Sequence, residues 1–229
     1  LIPGICKPEA MMNGSRRDFF RATAIPAAGV SLSVVSQRNL HADETKTNTT
    51  SQSTFTIGLS QYSLHRMISS GLLAPLDYPA FAIDTFGIEQ IDIFRGALPP
   101  VEQRIPFLEK LRARSERAGT NIFLVMVEPI RLGSDDVAVR NGEVKRFQTL
   151  VDQATIVGAT YLRVFLDAGK GSLDAQAARA VDGLKRLSDY SATKKITIVV
   201  EPGVGTSRNG LWLARVMKEV DHPNCGSMP

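Results

Sequence analysis

Five short runs of apolar residues recur between residues 55 and 201, and an amphipathic stretch separates each from the next. The runs are Phe55–Ser60, Ile88–Phe94, Ile122–Val127, Tyr161–Phe165 and Ile196–Val200. The third and fifth are almost continuously apolar, the pattern of a strand covered on both faces of a parallel sheet. Between the runs, apolar positions return every three or four residues, which puts them on one helical face. Val101, Ile105, Leu108, Leu111, Ser115 and Ala118 form one stripe, and Val144, Phe147, Val151, Ala154 and Gly158 a second. Val181, Leu184, Leu187 and Ser191 form a third, and Leu213, Val216 or Met217, and Val220 a fourth. Gly87, Gly119 and Gly158 each stand just before a strand, where a left-handed helix cap turns the chain back to the sheet.

The runs start every 33 to 39 residues, the length of one strand–helix unit. Five such units fit either a doubly wound sheet or part of an eightfold barrel. No Gly-x-Gly-x-x-Gly follows the first run, which argues against a dinucleotide site. A full barrel needs about 250 residues, and 175 run from Phe55 to Pro229. The expected fold is α/β: a partial TIM (β/α)8 barrel, about five of eight βα units, over residues 54–229. No strand is expected after Ile196–Val200.

The chain has 229 residues, 43% hydrophobic and 22% charged, ordinary for a globular protein. A net charge of +4 raises the question of a nucleic-acid partner. Its distribution argues against one. Five of the 27 basic residues but only two of the 23 acidic ones fall in residues 1–42, and the remaining 22 and 21 nearly cancel. No run approaches the roughly 18 apolar residues of a membrane span. Of the two cysteines, Cys6 lies ahead of the Arg16-Arg17 pair and Cys225 in the folded part, so no internal disulfide is expected.

Residues 1–42 read as a leader. Met11 and Met12 precede Ser15-Arg16-Arg17-Asp18-Phe19-Phe20-Arg21, and a mildly apolar run from Ala22 to Val35 follows. This resembles a twin-arginine export signal; the competing reading is a basic patch before a short core helix. The resemblance implies export to the periplasm, with the twin-arginine machinery as partner. Residues 43–53 are polar and aperiodic, a flexible linker.

In both parallel architectures the chemistry sits at the carboxyl ends of the strands. The side chains there are Gln61, Tyr62, Ser63 and His65, then Asp92 and Arg95, Glu128, Arg163 and Asp167, and Glu201. Glu201 follows the run Ile196–Val200, apolar but for Thr197, where a carboxylate must be paired, protonated or bound to a cation. Bound to a divalent ion it could also move a proton; a salt bridge to Arg163 is the alternative. Arg163, between Leu162 and Val164, needs an anion, either a substrate or a carboxylate. Asp92 and Glu128 are candidates to neutralise Arg163 or Arg95. His65 reads as a loop residue, either exposed or touching ligand. Trp212 reads as packing, His222 as part of a turn, and Asp135 and Asp136 as a solvated loop.

In their order and spacing these residues resemble the sugar phosphate isomerase/epimerase family with a xylose-isomerase-like barrel, in particular its exported planctomycete-type members. The matching stretches are Leu59–Arg66, Leu76–Pro79, Phe86–Glu89, Val125–Glu128, Gly158–Val164, Val199–Glu201 and Trp212–Pro229. The resemblance implies a divalent-metal-dependent isomerase or epimerase acting on a sugar or sugar-like hydroxy-ketone through an enediolate. It implies one Mn, Mg, Co or Zn ion held by a Glu, an Asp, a His and a Glu from strands five to eight, the two glutamates forming the acid/base pair. Glu201 matches the first ligand and one of that pair; His65 and Arg163 match substrate-contacting positions. Relatives continue the segment like Cys225–Pro229 with Asp-Phe-Gly, so the second ligand is expected one residue beyond Pro229 and this chain carries only part of the site. Relatives also carry Glu-Asn-His-Gly-Gly after the fifth strand, where this chain has Glu201-Pro202-Gly203-Val204-Gly205. That departure keeps a non-catalytic exported carbohydrate-binding barrel, or an inactive fragment, as the alternative. No oligomeric state is specified by these residues.

Overall fold

The alternation of apolar runs and amphipathic stretches becomes an alternation of strands and helices in the computed structural model, which describes residues 55–228. The strands are β1 (Gly58–Leu59), β2 (Gln90–Phe94), β3 (Asn121–Ile130), β4 (Tyr161–Leu166), β5 (Thr197–Glu201) and β6 (Cys225–Ser227). The helices are α1 (His65–Ser69), α2 (Tyr78–Phe86), α3 (Val101–Ala118), α4 (Val137–Ile156), α5 (Leu173–Thr193) and α6 (Gly210–Val220). All strand pairs are parallel, and the sheet order is β1-β2-β3-β4-β5-β6. Each strand lies beside its neighbour in the chain. That is the order of a (β/α) barrel; a doubly wound sheet reverses at a switch point. The leader at 1–42 and the linker at 43–53 lie outside the described residues.

One face of the sheet packs on the helices. Ile91, Ile93, Val125, Leu162, Val164, Ile198 and Val200 are buried in one cluster with Leu111, Phe147, Val151, Leu184, Leu187 and Val216. Strand side chains alternate between faces, so the residues between them point the other way. Register aligns this inner face: Phe94 beside Met126, Met126 beside Arg163, Arg163 beside Val199, and Phe165 beside Glu201.

The helices start where side chains cap them. Asp136 accepts hydrogen bonds from the N–H groups of Ala138 (2.7 Å) and Val139 (3.3 Å), so it opens α4 rather than lying in a solvated loop. Ser172 and Asn209 do the same for α5 and α6. Gly87, Gly119 and Gly158 all have φ between +65° and +78°, as their places before strands require.

Four expectations change. The first run pairs only at Gly58–Leu59: β2 begins at Gln90, opposite Gly58, so residues 55–57 have no strand to follow. Strand β3 runs on through Glu128, which therefore does not end it; the Glu128 side chain lies outside the described set. Its register slips between Met126 and Pro129, where proline cannot donate to the ladder. On α3 the buried line is Arg104, Leu108, Leu111 and Ser115, while Val101 and Ile105 stay exposed. Arg104 lays its stem along the core and donates from Nη2 to the Pro99 carbonyl (3.2 Å). Finally, β6 exists and pairs with β5, with Met228 N–H donating to the Val200 carbonyl (2.9 Å). Three residues with a central glycine are too short to show a two-residue period.

Candidate functional site

Arg163 projects from the middle of β4 onto the inner face, where it is 9% exposed. Its Nε lies 3.0 Å from Glu201 Oε2 on the adjacent strand. The N–H is not aligned for a hydrogen bond, so the contact is one of charge. The guanidinium carbon stands 4.2 Å over the Phe165 ring. Burial lowers the Arg163 pKa, while Glu201 and Asp92 push it back up; a guanidinium keeps its charge through such a shift.

Asp92, on β2, is also buried. It accepts hydrogen bonds from the Gln61 N–H (2.9 Å) and from Ser60 Oγ (3.2 Å). Burial raises its pKa above the usual carboxylate value, and these two hydrogen bonds and Arg163 offset part of the rise. Gln61 is buried and accepts the Phe94 N–H through Oε1 (3.0 Å). The exit from β1 is thus stitched to β2 at two points.

His65 opens helix α1 instead of lying in a loop, because a turn of 3-10 helix over Gln61–Leu64 leads straight into it. Its Nδ1 is 2.7 Å from the Tyr62 carbonyl. A carbonyl only accepts, so Nδ1 carries the hydrogen and the neutral ring keeps its lone pair on Nε2. The imidazole stacks on Tyr62 at 4.7 Å, and Tyr62 meets Phe94 edge-on at 5.4 Å.

These elements enclose a cleft of about 220 Å³ at the carboxyl ends of β2, β3 and β4, lined by Tyr62, Phe94, Arg95, Met126, Arg163 and Phe165 among others. Of the larger hollows, two of about 490 and 560 Å³ lie toward the amino ends of the strands, and one of about 380 Å³ lies beside α3. Glu89 is the one ionisable side chain lining the first, and Tyr161 the one lining the second, so size alone does not select the site.

Of the residues singled out from sequence, Arg163 and Glu201 are brought into contact, Arg95 lines the cleft, and His65 stacks on the cleft residue Tyr62. Asp167 is turned to its own loop, accepting the Gly169 N–H (3.0 Å). Trp212 is buried and donates from Nε1 to the Leu173 carbonyl (3.0 Å). His222 accepts the Asn224 N–H at Nδ1 (3.0 Å). Phe94, Met126 and Phe165 were not anticipated. The signal for Phe165 was alternation, since it stands two residues after Arg163 and so shares its face.

The rim is fastened between β3 and β4. Gly133 N–H donates to the Asp167 carbonyl (3.1 Å), and Arg179 donates from Nε to the Gly133 carbonyl (2.7 Å) and from Nη2 to the Lys170 carbonyl. A Cβ on Gly133 would lie 2.3 Å from the Ala168 Cα, so the two loops touch backbone to backbone. Beyond β5, the departure from the expected motif has a physical counterpart: the Phe165 ring fills the space that a side chain at Gly203 would need.

Among the described residues no three His, Cys, Asp or Glu side chains gather closely enough to hold a metal ion. Glu201 is one candidate ligand, already facing a guanidinium. The described residues alone do not make a metal site.

A model of the xylose isomerase-like TIM barrel family matches residues 79–229. The chain belongs to this family. Among solved structures of such barrels it is similar to D-psicose 3-epimerase from Clostridium cellulolyticum H10, crystallised with D-tagatose, at 15% identity and a TM-score of 0.57, covering 68% of this chain and 58% of that one. It is similar to the probable 3-DHS dehydratase AsbF of Bacillus anthracis at 16% identity and a TM-score of 0.60, covering 76% and 62%. An IolI protein with a bound zinc atom matches at 14% identity and a TM-score of 0.59, also covering 76% and 62%. At such identities the likeness establishes the fold, and this chain spans about three fifths of the length of each. A comparison with curated proteins found no match.

Proposed function

We propose that this chain carries part of the site of an isomerase or epimerase acting on a sugar or sugar-like hydroxy-ketone by proton transfer through an enediolate. The supporting observation is the Arg163–Glu201 pair, 3.0 Å apart on the inner face of a xylose isomerase-like barrel. Glu201 takes the proton from the carbon beside the carbonyl. The Arg163 charge steadies the oxyanion that develops. His65 accepts a hydrogen bond from a substrate hydroxyl through Nε2. A second carboxylate, needed to return the proton on the other face, is not among these groups. The reading includes a divalent ion, Mn, Mg, Co or Zn, with Glu201 as one ligand. The described residues alone do not form its site.

The test is deuterium incorporation from heavy water beside the carbonyl of a panel of ketoses, with each of the four ions supplied. Incorporation is expected, with a fall of about 100-fold or more in Glu201→Gln. No incorporation with any ketose and any ion would sink the proposal. Binding of a ketose without exchange would favour the second reading, a non-catalytic carbohydrate-binding barrel, which the Pro202-Gly203 departure supports. Export to the periplasm by the twin-arginine route is proposed from Ser15–Phe20. Replacing Arg16 and Arg17 by Lys is expected to hold the protein in the cytoplasmic fraction, and unchanged periplasmic recovery would refute it.

A further inference from the structure

Phe165 meets both the Arg163 cation and the backbone that follows β5. A Cβ built on Gly203 falls 2.3 Å from ring atoms Cδ1 and Cε1, so no side chain at position 203 coexists with the ring where it lies. Arg163 also meets the ring, its guanidinium carbon standing 4.2 Å from the centroid. Register sets Phe165 beside Glu201 on the same face. The ring thus touches a bare glycine and a buried cation, stands beside the carboxylate, and still lines the cleft. The remaining cleft wall is Tyr62, Phe94, Gly96, Met126 and Val127 with Arg95, so its polar side-chain groups are one hydroxyl and one guanidinium. A ligand rich in hydroxyl groups can satisfy few of its oxygens there. Its carbon-bound hydrogens suit such a wall, because the face of an aromatic ring is negative.

We propose that Phe165 is a specificity-determining residue, a platform for the carbon face of a hydroxy-ketone whose oxygens then point to Arg163 and Glu201. The ligand class rests on the isomerase/epimerase reading. A hydroxyl turned toward the ring loses its hydrogen bonds, and a buried unpaired hydroxyl is disfavoured. Two ketoses that differ in configuration at one carbon are therefore told apart at Phe165, by roughly tenfold to 100-fold.

The experiment measures binding of D-fructose, D-tagatose, D-psicose and D-sorbose to the purified chain by titration and saturation-transfer NMR. The wild-type protein is expected to bind at least one, with about a tenfold or greater spread. In Phe165→Leu the spread is expected to collapse to about threefold or less, with roughly tenfold weaker binding of the best ligand. Gly203→Ala displaces the ring and is expected to do the same, while adding nothing further in the Phe165→Leu background. Melting curves show which variants are folded; if Phe165→Leu is not, Gly203→Ala carries the comparison. An unchanged spread in the folded variants overturns the proposal, and so does failure of all four ketoses to bind. Deuterium exchange separates the two readings: a spread that depends on Phe165 without exchange sinks the isomerase reading and keeps the platform. Exchange with a spread indifferent to Phe165 does the reverse.

Discussion

Glu143 is buried on α4 and accepts from three groups: Arg146 Nη2 at 2.7 Å, Arg146 Nε at 3.0 Å and the Arg131 N–H at 3.1 Å. Burial alone would raise its pKa; the hydrogen bonds from Arg146 and Arg131 outweigh it, and the carboxyl lies below its usual value. Its stabilisation is complete above the ordinary glutamate pKa of about 4.3 and is lost as pH falls through the lowered folded value. Glu143→Gln should therefore cost about 1–3 kcal/mol at pH 7, and the difference should shrink below about pH 4. Melts from pH 3 to 8 check this, and an offset that does not vary with pH would contradict it. Arg163 and Glu201 could be read from sequence because a charge set in an apolar run must find a partner. Phe165 was passed over because an aromatic residue in such a run looks like any other core residue, although its place two residues after Arg163 puts it on the same face. Register across β4 and β5 then sets it beside Glu201.

At the scale of elements, α4 and α5 follow their predicted stripes closely, because long helices average over many positions. Asp136→Ala removes two hydrogen bonds at the start of α4 and should cost about 1 kcal/mol, measured as a shift in the urea midpoint at constant slope. Gly133→Ala should cost more, above about 2 kcal/mol, because the obstacle is the backbone of the neighbouring loop and not a movable side chain. Equal effects of the two substitutions would argue against that contact. The strands that sequence missed or misjudged are the short ones. Strand β1 keeps two residues of a six-residue run, and β6 has three residues of mixed character. Their existence depends on a partner strand, which no local pattern encodes. The α3 face was misjudged for a related reason: Arg104 is charged at its tip and apolar along its stem, and a count of hydrophobic residues passes it over.

For the whole molecule, the choice between barrel and doubly wound sheet rested on strand order, a tertiary property that five equal units leave open. Amide exchange should be slowest in β3, β4 and β5, each paired on both sides, and fastest in β1 and β6, paired on one side among the described residues. Faster exchange in β4 than in β1 would contradict the assigned order. Both edges are only two or three residues long, which limits pairing with another chain. The contact of Gly133 with Ala168 reaches past stability into descent. In barrels of this kind, loops at this end are where relatives diverge. Here the loops after β3 and β4 lean on one another through their main chains, so a residue inserted in one displaces the other. Their lengths should be inherited as a pair.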